Sequence, residues 1–166
     1  MVGIDSMVLI FAGLVPNKGK KSKEFAELNL RARLLLYQLR AETIVLPTIA
    51  VSELLVPVPA AKKSLLLGTL SARFTMPSFN LPAAVIAAEL WAHHEKLPRD
   101  LRYTDRRVLK ADLMIVASAK AAGATKFYTH DKKCRAVAAN VMQTFDLPKN
   151  DPSDMFIMDD LKKGEV

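Results

Sequence analysis

The chain has a single cysteine, Cys134, among its 166 residues. An intrachain disulfide and a cysteine-rich zinc site are thereby excluded, and a reducing compartment suits the composition. No apolar run reaches the roughly 18 uncharged residues of a membrane-spanning helix. The opening Met1–Pro16 is apolar, but Asp5 interrupts it and no basic stretch precedes it. It therefore does not read as a secretion signal, and a cytoplasmic protein is expected. A Gly-x-x-x-x-Gly-Lys phosphate loop, a glycine-rich dinucleotide fingerprint and the Gly-x-Ser-x-Gly turn of serine hydrolases are all missing. Asp5 has no second acid beside it or two residues on, which disfavours receiver domains and Asp-x-Asp phosphatases. Internal repeats and low-complexity tracts are lacking too.

What is present reads as a globular domain. Hydrophobic residues make up 51% and charged residues 25%, enough for a buried core without disorder. Lysine and arginine outnumber aspartate and glutamate 24 to 17, giving a net charge of +7 and a pI of about 9.6. Such a field favours polyanionic partners, nucleic acid first among them.

Along the chain, strand signals alternate with helical spacing. Val2–Ile4 reads as a short buried strand running into Met7–Leu14 as loop or helix, and Asn17–Ser22 as a lysine-rich surface loop. Glu24 to Arg40 carries an apolar stripe at helical spacing. Thr43–Leu46 is a β-branched run before Pro47, and Thr48 is a candidate cap for a short helix through Leu55. Ala60–Ala72 is helical, Phe74–Met76 a weaker strand, and Leu81–Lys96 a helix with Pro82 at its start. The basic connector Pro98–Arg107 leads to a helix over Lys110–Ala122 that Gly123 ends. Lys126–Thr129 and Val141–Phe145 are strands flanking a helix over Lys132–Asn140. The alternation predicts an α/β fold, a three-layer α/β/α sandwich around a central parallel sheet. One domain is expected over residues 1–150. Residues 151–166 would form a C-terminal segment packing on it or extending from it, with Asp151 as helix cap.

Four acids stand out because their surroundings do not solvate them or because of where they fall. Asp5 is the only charged residue between Met1 and Asn17, Glu53 the only one between Thr43 and Ala61, and Asp112 the only one between Ala111 and Ala119. An unpaired buried carboxylate is costly, and bound cations would remove the cost. Asp131 is followed by Lys132 and Lys133, but it comes directly after a strand, as Asp5 does. Ligands of open parallel sheets bind beyond the carboxyl ends of the strands. Carboxylates meeting there suit a hard divalent ion, Mg²⁺ or Mn²⁺, and phosphodiester hydrolysis. Taken singly, each acid has an equally good structural account, such as a helix cap for Asp112. Glu89, alone between Phe74 and His94, falls with His93 and Lys96 on one helical stripe and reads as solvated.

With these residues identified, the chain resembles the PIN-domain family, and within it the toxin ribonucleases of VapBC-type toxin–antitoxin systems. The resemblance lies in GIDSMVLI, in VSELL and in KADLMIVASAKAAGATKFYTHD, in that order, over roughly Met1 to Phe145. It implies that Asp5, Glu53, Asp112 and Asp131 are the metal-binding catalytic acids, with the hydroxyls of Ser6 and Thr129 beside them. It also implies an RNA substrate, a homodimer and a cognate antitoxin. One departure is Met7, where many members carry Asn. Arg99, Arg102, Arg106, Arg107, Lys110 and Lys132 are candidates to guide RNA, or else ordinary solvated charge. His93, His94, Trp91 and Cys134 read as packing or surface residues. A non-catalytic PIN-like module that binds RNA or protein is the competing reading.

Overall fold

A computed structural model describes residues 1–15, 22–149 and 157. Among these residues five short strands alternate with seven helices: β1 Val2–Ile4, α1 Ser6–Ala12, α2 Lys23–Gln38, β2 Ile44–Val45, α3 Thr48–Leu55, α4 Ala60–Arg73, β3 Phe74–Thr75, α5 Leu81–His94, α6 Arg106–Ala121, β4 Lys126–Tyr128, α7 Lys132–Ala138 and β5 Gln143–Phe145. A 3-10 turn, Arg99–Leu101, precedes α6.

All strand pairs are parallel, in the order β3-β2-β1-β4-β5. β1 is central, with Val2 opposite Ile44 on one side and Lys126 on the other. Burial on both faces explains why β1 and β2 are unbroken apolar runs rather than alternating ones. Helices α1 and α2 pack together on one face, and α5, α6 and α7 on the other. The chain moves outward from β1 to β3, then returns past β1 to β4. The order thus reverses between β1 and β4, and a crevice opens beyond their carboxyl ends. This is the three-layer α/β/α sandwich that the alternation of elements predicts.

Close approach at the centre depends on Gly3. A Cβ there would lie 2.7 Å from Phe127 Cδ2 and 3.0 Å from Ala119 Cβ, so β1 could not settle against α6 and the fully buried Phe127. Gly123 lies just past α6 at φ 91°, the left-handed turn expected to end that helix.

Several boundaries differ from expectation. Met7–Leu14 resolves into helix α1, with Asp5 as its N-cap. Helix α6 starts at Arg106, not Lys110, because Asp105 Oδ1 accepts from Arg107 N–H at 2.8 Å and caps it. Its first turn is exposed and basic, which hides the helix from an apolar-spacing argument and opposes its dipole. Asp112 therefore lies in the second turn, where it cannot cap the helix. Thr48 is the first residue of α3 rather than its cap; that position falls to Pro47, with no side-chain cap hydrogen bond. The loop Asn17–Ser22, apart from Ser22, and the segment 151–166, apart from residue 157, lie outside the described residues. Among the described residues, no helix is long and apolar enough to cross a membrane.

Candidate active site

The β1–α1 junction builds the first wall of the crevice. Asp5 caps α1 by accepting from Val8 N–H at 3.2 Å, and its other carboxylate oxygen accepts from the hydroxyl of Thr129. The side chain is 6% exposed. Burial is the main reason its carboxyl is pushed up to about 7, with the donors from Thr129 and Val8 opposing the rise and Asp112 and Glu53 adding to it.

Glu53 enters from α3, which packs against α1, and accepts from Ser6 Oγ at 2.5 Å. Asp112 enters from α6 and accepts at Oδ2 from the phenol of Tyr103 at 2.5 Å. Its carboxyl is pushed up to about 6, mainly by burial and further by Asp131 and Glu53, against the Tyr103 donor. Asp131 is exposed, and its Oδ1 caps α7 through Lys133 N–H at 2.6 Å and Cys134 N–H at 3.0 Å. Thr129 joins the two strand ends: it donates to Asp5 and accepts from the backbone N–H of Asp131 at 3.1 Å.

Asp5, Glu53 and Asp112 are thus brought within electrostatic reach of one another, and Asp131 within reach of Asp112. Among the described residues none of the four forms an ion pair with lysine, arginine or histidine. As a donor set they suit a hard divalent cation: all are oxygens, and the buried Asp5 and half-buried Asp112 have no ion-pair partner among the described residues. The side chains are nonetheless spread out, each held by its own donor. Among the described residues no group of three His, Cys, Asp or Glu side chains is arranged to hold a metal ion. Binding would therefore require these carboxylates to turn from their hydroxyl partners toward a shared point.

Other predicted residues fall into different roles. Glu89 is exposed. Cys134 is buried, and burial with the neighbouring acids pushes its thiol well up, so it is not a poised nucleophile. Trp91 donates to Glu95 at 3.2 Å and carries the Arg106 guanidinium over its ring at 5.4 Å. Lys110 lines an apolar groove beside that ring. Arg102 is folded back onto Leu97 O at 2.6 Å, Arg107 sits 3.5 Å from Asp105, and Lys132 sits 3.7 Å from Asp100. Three of the basic residues proposed to guide RNA are thus engaged locally, with Leu97 O, Asp105 and Asp100. Lys132 and Lys133 line an open groove of about 470 Å³ together with Asp131 and Tyr103.

Two features are not legible in the sequence. Tyr103 reaches Asp112 from the basic connector, and its backbone N–H donates to Nε2 of buried His94 at 2.9 Å. Its only sequence signal is an aromatic residue alone among charges. The second is a clamp around Asp146, which accepts from His130 Nδ1 at 2.8 Å and Leu147 N–H at 2.7 Å and pairs with Arg135 at 3.1 Å. Arg135 also donates to the carbonyls of Thr129 at 2.9 Å and His130 at 3.2 Å, and Arg31 of α2 donates to those of Leu147 and Pro148, both at 2.8 Å. The clamp fixes the loop that carries Thr129 and Asp131.

Comparison with known proteins agrees with this architecture. Structural neighbours include VapBC2 from Rickettsia felis bound to a promoter DNA fragment, with TM-score 0.58 and 15% identity over 89% of this chain and 100% of that one. FitAcB from Neisseria gonorrhoeae gives TM-score 0.56 and 22% identity over 87% of this chain and 96% of that one. DNA-bound VapBC from Salmonella typhimurium gives TM-score 0.57 and 14% identity over 89% and 98%. At these identities the likeness is one of fold. No curated protein sequence matches significantly. The PIN domain family model matches residues 10–140, a span that holds Glu53, Asp112 and Asp131. The chain belongs to the PIN domain family.

Proposed function

We propose that the protein is a Mg²⁺- or Mn²⁺-dependent endoribonuclease, the toxin of a toxin–antitoxin pair, with Asp5, Glu53, Asp112 and Asp131 as its metal-holding acids. The observation that carries this reading is that Asp5, Glu53 and Asp112, from three separate segments, lie within electrostatic reach of one another with no cation paired to any of them among the described residues. A hard divalent ion there would supply the charge that activates water and stabilises the leaving oxygen of a phosphodiester. The chain's own residues supply the rest. Thr129 and Ser6 orient Asp5 and Glu53, Tyr103 orients Asp112, and the groove bearing Lys132 and Lys133 receives the phosphate backbone. RNA as substrate is supported by the net charge of +7. A cytoplasmic protein, a homodimer and a cognate antitoxin belong to the same reading, the last supported by the VapBC complexes among the fold neighbours.

Metal-dependent cleavage of an RNA panel tests it. Asp5→Asn and Asp112→Asn should each lower cleavage about 100-fold or more, beyond what loss of an outer partner costs. Unchanged cleavage in both variants removes these acids from the mechanism. Asp131→Asn keeps a capping oxygen while removing charge, so it separates catalysis from helix capping. A short reading frame directly upstream, encoding a DNA-binding protein, would support the antitoxin.

The spread of the carboxylates favours one other reading, a PIN-like module that binds RNA or protein without cutting. Saturable Mn²⁺ binding with no RNA cleavage would select it.

A further inference from the structure

We propose that a second pocket, away from the carboxylates, docks an acidic, aliphatic peptide segment of a partner protein. It has a volume of about 380 Å³ and lies where Ala12 and Leu14 meet the second half of α2 and the start of β3. Arg33, Arg40 and Arg73 line it together with Leu36, Tyr37 and Phe74. Arg73 immediately precedes β3 and Arg40 lies in the connection to β2, so the pocket sits toward the N-terminal ends of these strands. Asp5 and Thr129 stand at the C-terminal ends of β1 and β4. The two sites are therefore separate.

Three guanidinium groups share this pocket, and among the described residues no acid lines it. Among the described residues none of the three forms an ion pair. Two are already held in place. Arg73 donates to Leu36 O at 3.1 Å, and Arg40 donates to Tyr37 O at 3.0 Å with its guanidinium 4.2 Å from the Tyr37 ring centroid. Holding like charges together without a counter-ion is unfavourable, and an incoming anion relieves it. Pre-organised guanidinium groups also lose little entropy on pairing, and their fork matches a carboxylate.

The walls decide which anion fits. They are apolar, from Ala12, Leu14, Leu36, the buried Phe74 and the stems of the arginines, and the ring of Tyr37 carries Arg40. With Tyr37 covered and Phe74 buried, a nucleic-acid base has no open aromatic face to stack on. A peptide carrying glutamate or aspartate beside leucine-like side chains satisfies both the charge and the walls. The inference holds whether or not the acids of the crevice cut RNA.

The test is an NMR titration of the full chain with a synthetic peptide of alternating glutamate and leucine. Saturable shifts are expected at the amides of Arg33, Tyr37, Arg40 and Arg73, with none from a lysine–leucine peptide. In Arg33→Glu/Arg73→Glu the dissociation constant should rise about tenfold or more. Arg33→Gln/Arg40→Gln serves the same purpose if the first variant does not fold, and RNA cleavage should match wild type in either. Any of three results overturns the proposal: no saturable shift, binding by the folded variants as tight as by wild type, or displacement at these amides by an RNA oligonucleotide or a second copy of the chain instead of the peptide.

Discussion

Thr129 donates its hydroxyl to the carboxylate of Asp5, across 124 residues of sequence and from the neighbouring strand. That bond joins the ends of β1 and β4 at the point where the sheet reverses its order. It also opposes the rise that burial imposes on the Asp5 carboxyl.

The first prediction concerns pH. The Asp5 carboxyl stands at about 7 in the folded protein against 3.8 in an unfolded chain, so the folded state binds the extra proton between those values. Its contribution to stability is full below pH 3.8 and is lost as pH rises through 7. Asp5→Asn should therefore stabilise the metal-free protein relative to wild type by about 2 kcal/mol at pH 8, and far less at pH 5. Comparing variant with wild type at each pH cancels His94, whose lowered value has the opposite sign. Equal differences at both pH values in urea unfolding would reject the assignment.

The Asp146 clamp should act at a distance. Asp146→Asn weakens the pairs with His130 and Arg135 and frees the loop bearing Thr129 and Asp131. Asp146 is 38% exposed in its side chain, so the loss of stability should be modest, about 1–2 kcal/mol. RNA cleavage should fall further than that loss of folded protein explains. Cleavage that simply tracks the folded fraction would make the clamp purely structural.

Gly3→Ala should destabilise by about 1–3 kcal/mol or more, since the new methyl meets Phe127 and Ala119 where the sheet packs on the helix. Thermal unfolding reads this directly. A variant as stable as wild type would mean that α6 can shift without cost.

Ser118 is buried in α6 with no hydrogen-bond partner for its hydroxyl among the described residues. An unsatisfied buried hydroxyl costs about 1–3 kcal/mol. Ser118→Ala should hold or raise stability by about 1 kcal/mol, whereas a clear loss would reveal an unrecognised partner.

Lys132→Glu/Lys133→Glu should weaken RNA binding and reduce its salt dependence, by about 0.7 in logarithmic slope for each phosphate no longer neutralised. Arg107→Glu, already paired with Asp105, should change the slope little. The reverse ranking would place the RNA along α6 instead of the groove beside Asp131.

Much of this protein is written locally. The alternation of β-branched runs with helical spacing determined the layers and the parallel sheet, because burial on both faces requires unbroken apolar strands. Isolation among apolar neighbours singled out Asp5, Glu53 and Asp112, because a lone charge in a core sequence needs a reason that sequence alone exposes. Tertiary structure decided what touches them. Ser6 meets Glu53 because α1 packs on α3, and Tyr103 meets Asp112 from a connector whose backbone is held by buried His94. The start of α6 depended on a cap at Asp105, which an exposed basic first turn concealed. The clamp on Asp146 draws on α2, α7 and the chain after β5, and the three arginines around the second pocket come from α2, α4 and the connection to β2. Such clusters have no spacing to read, because they are assembled by packing between segments far apart in the chain.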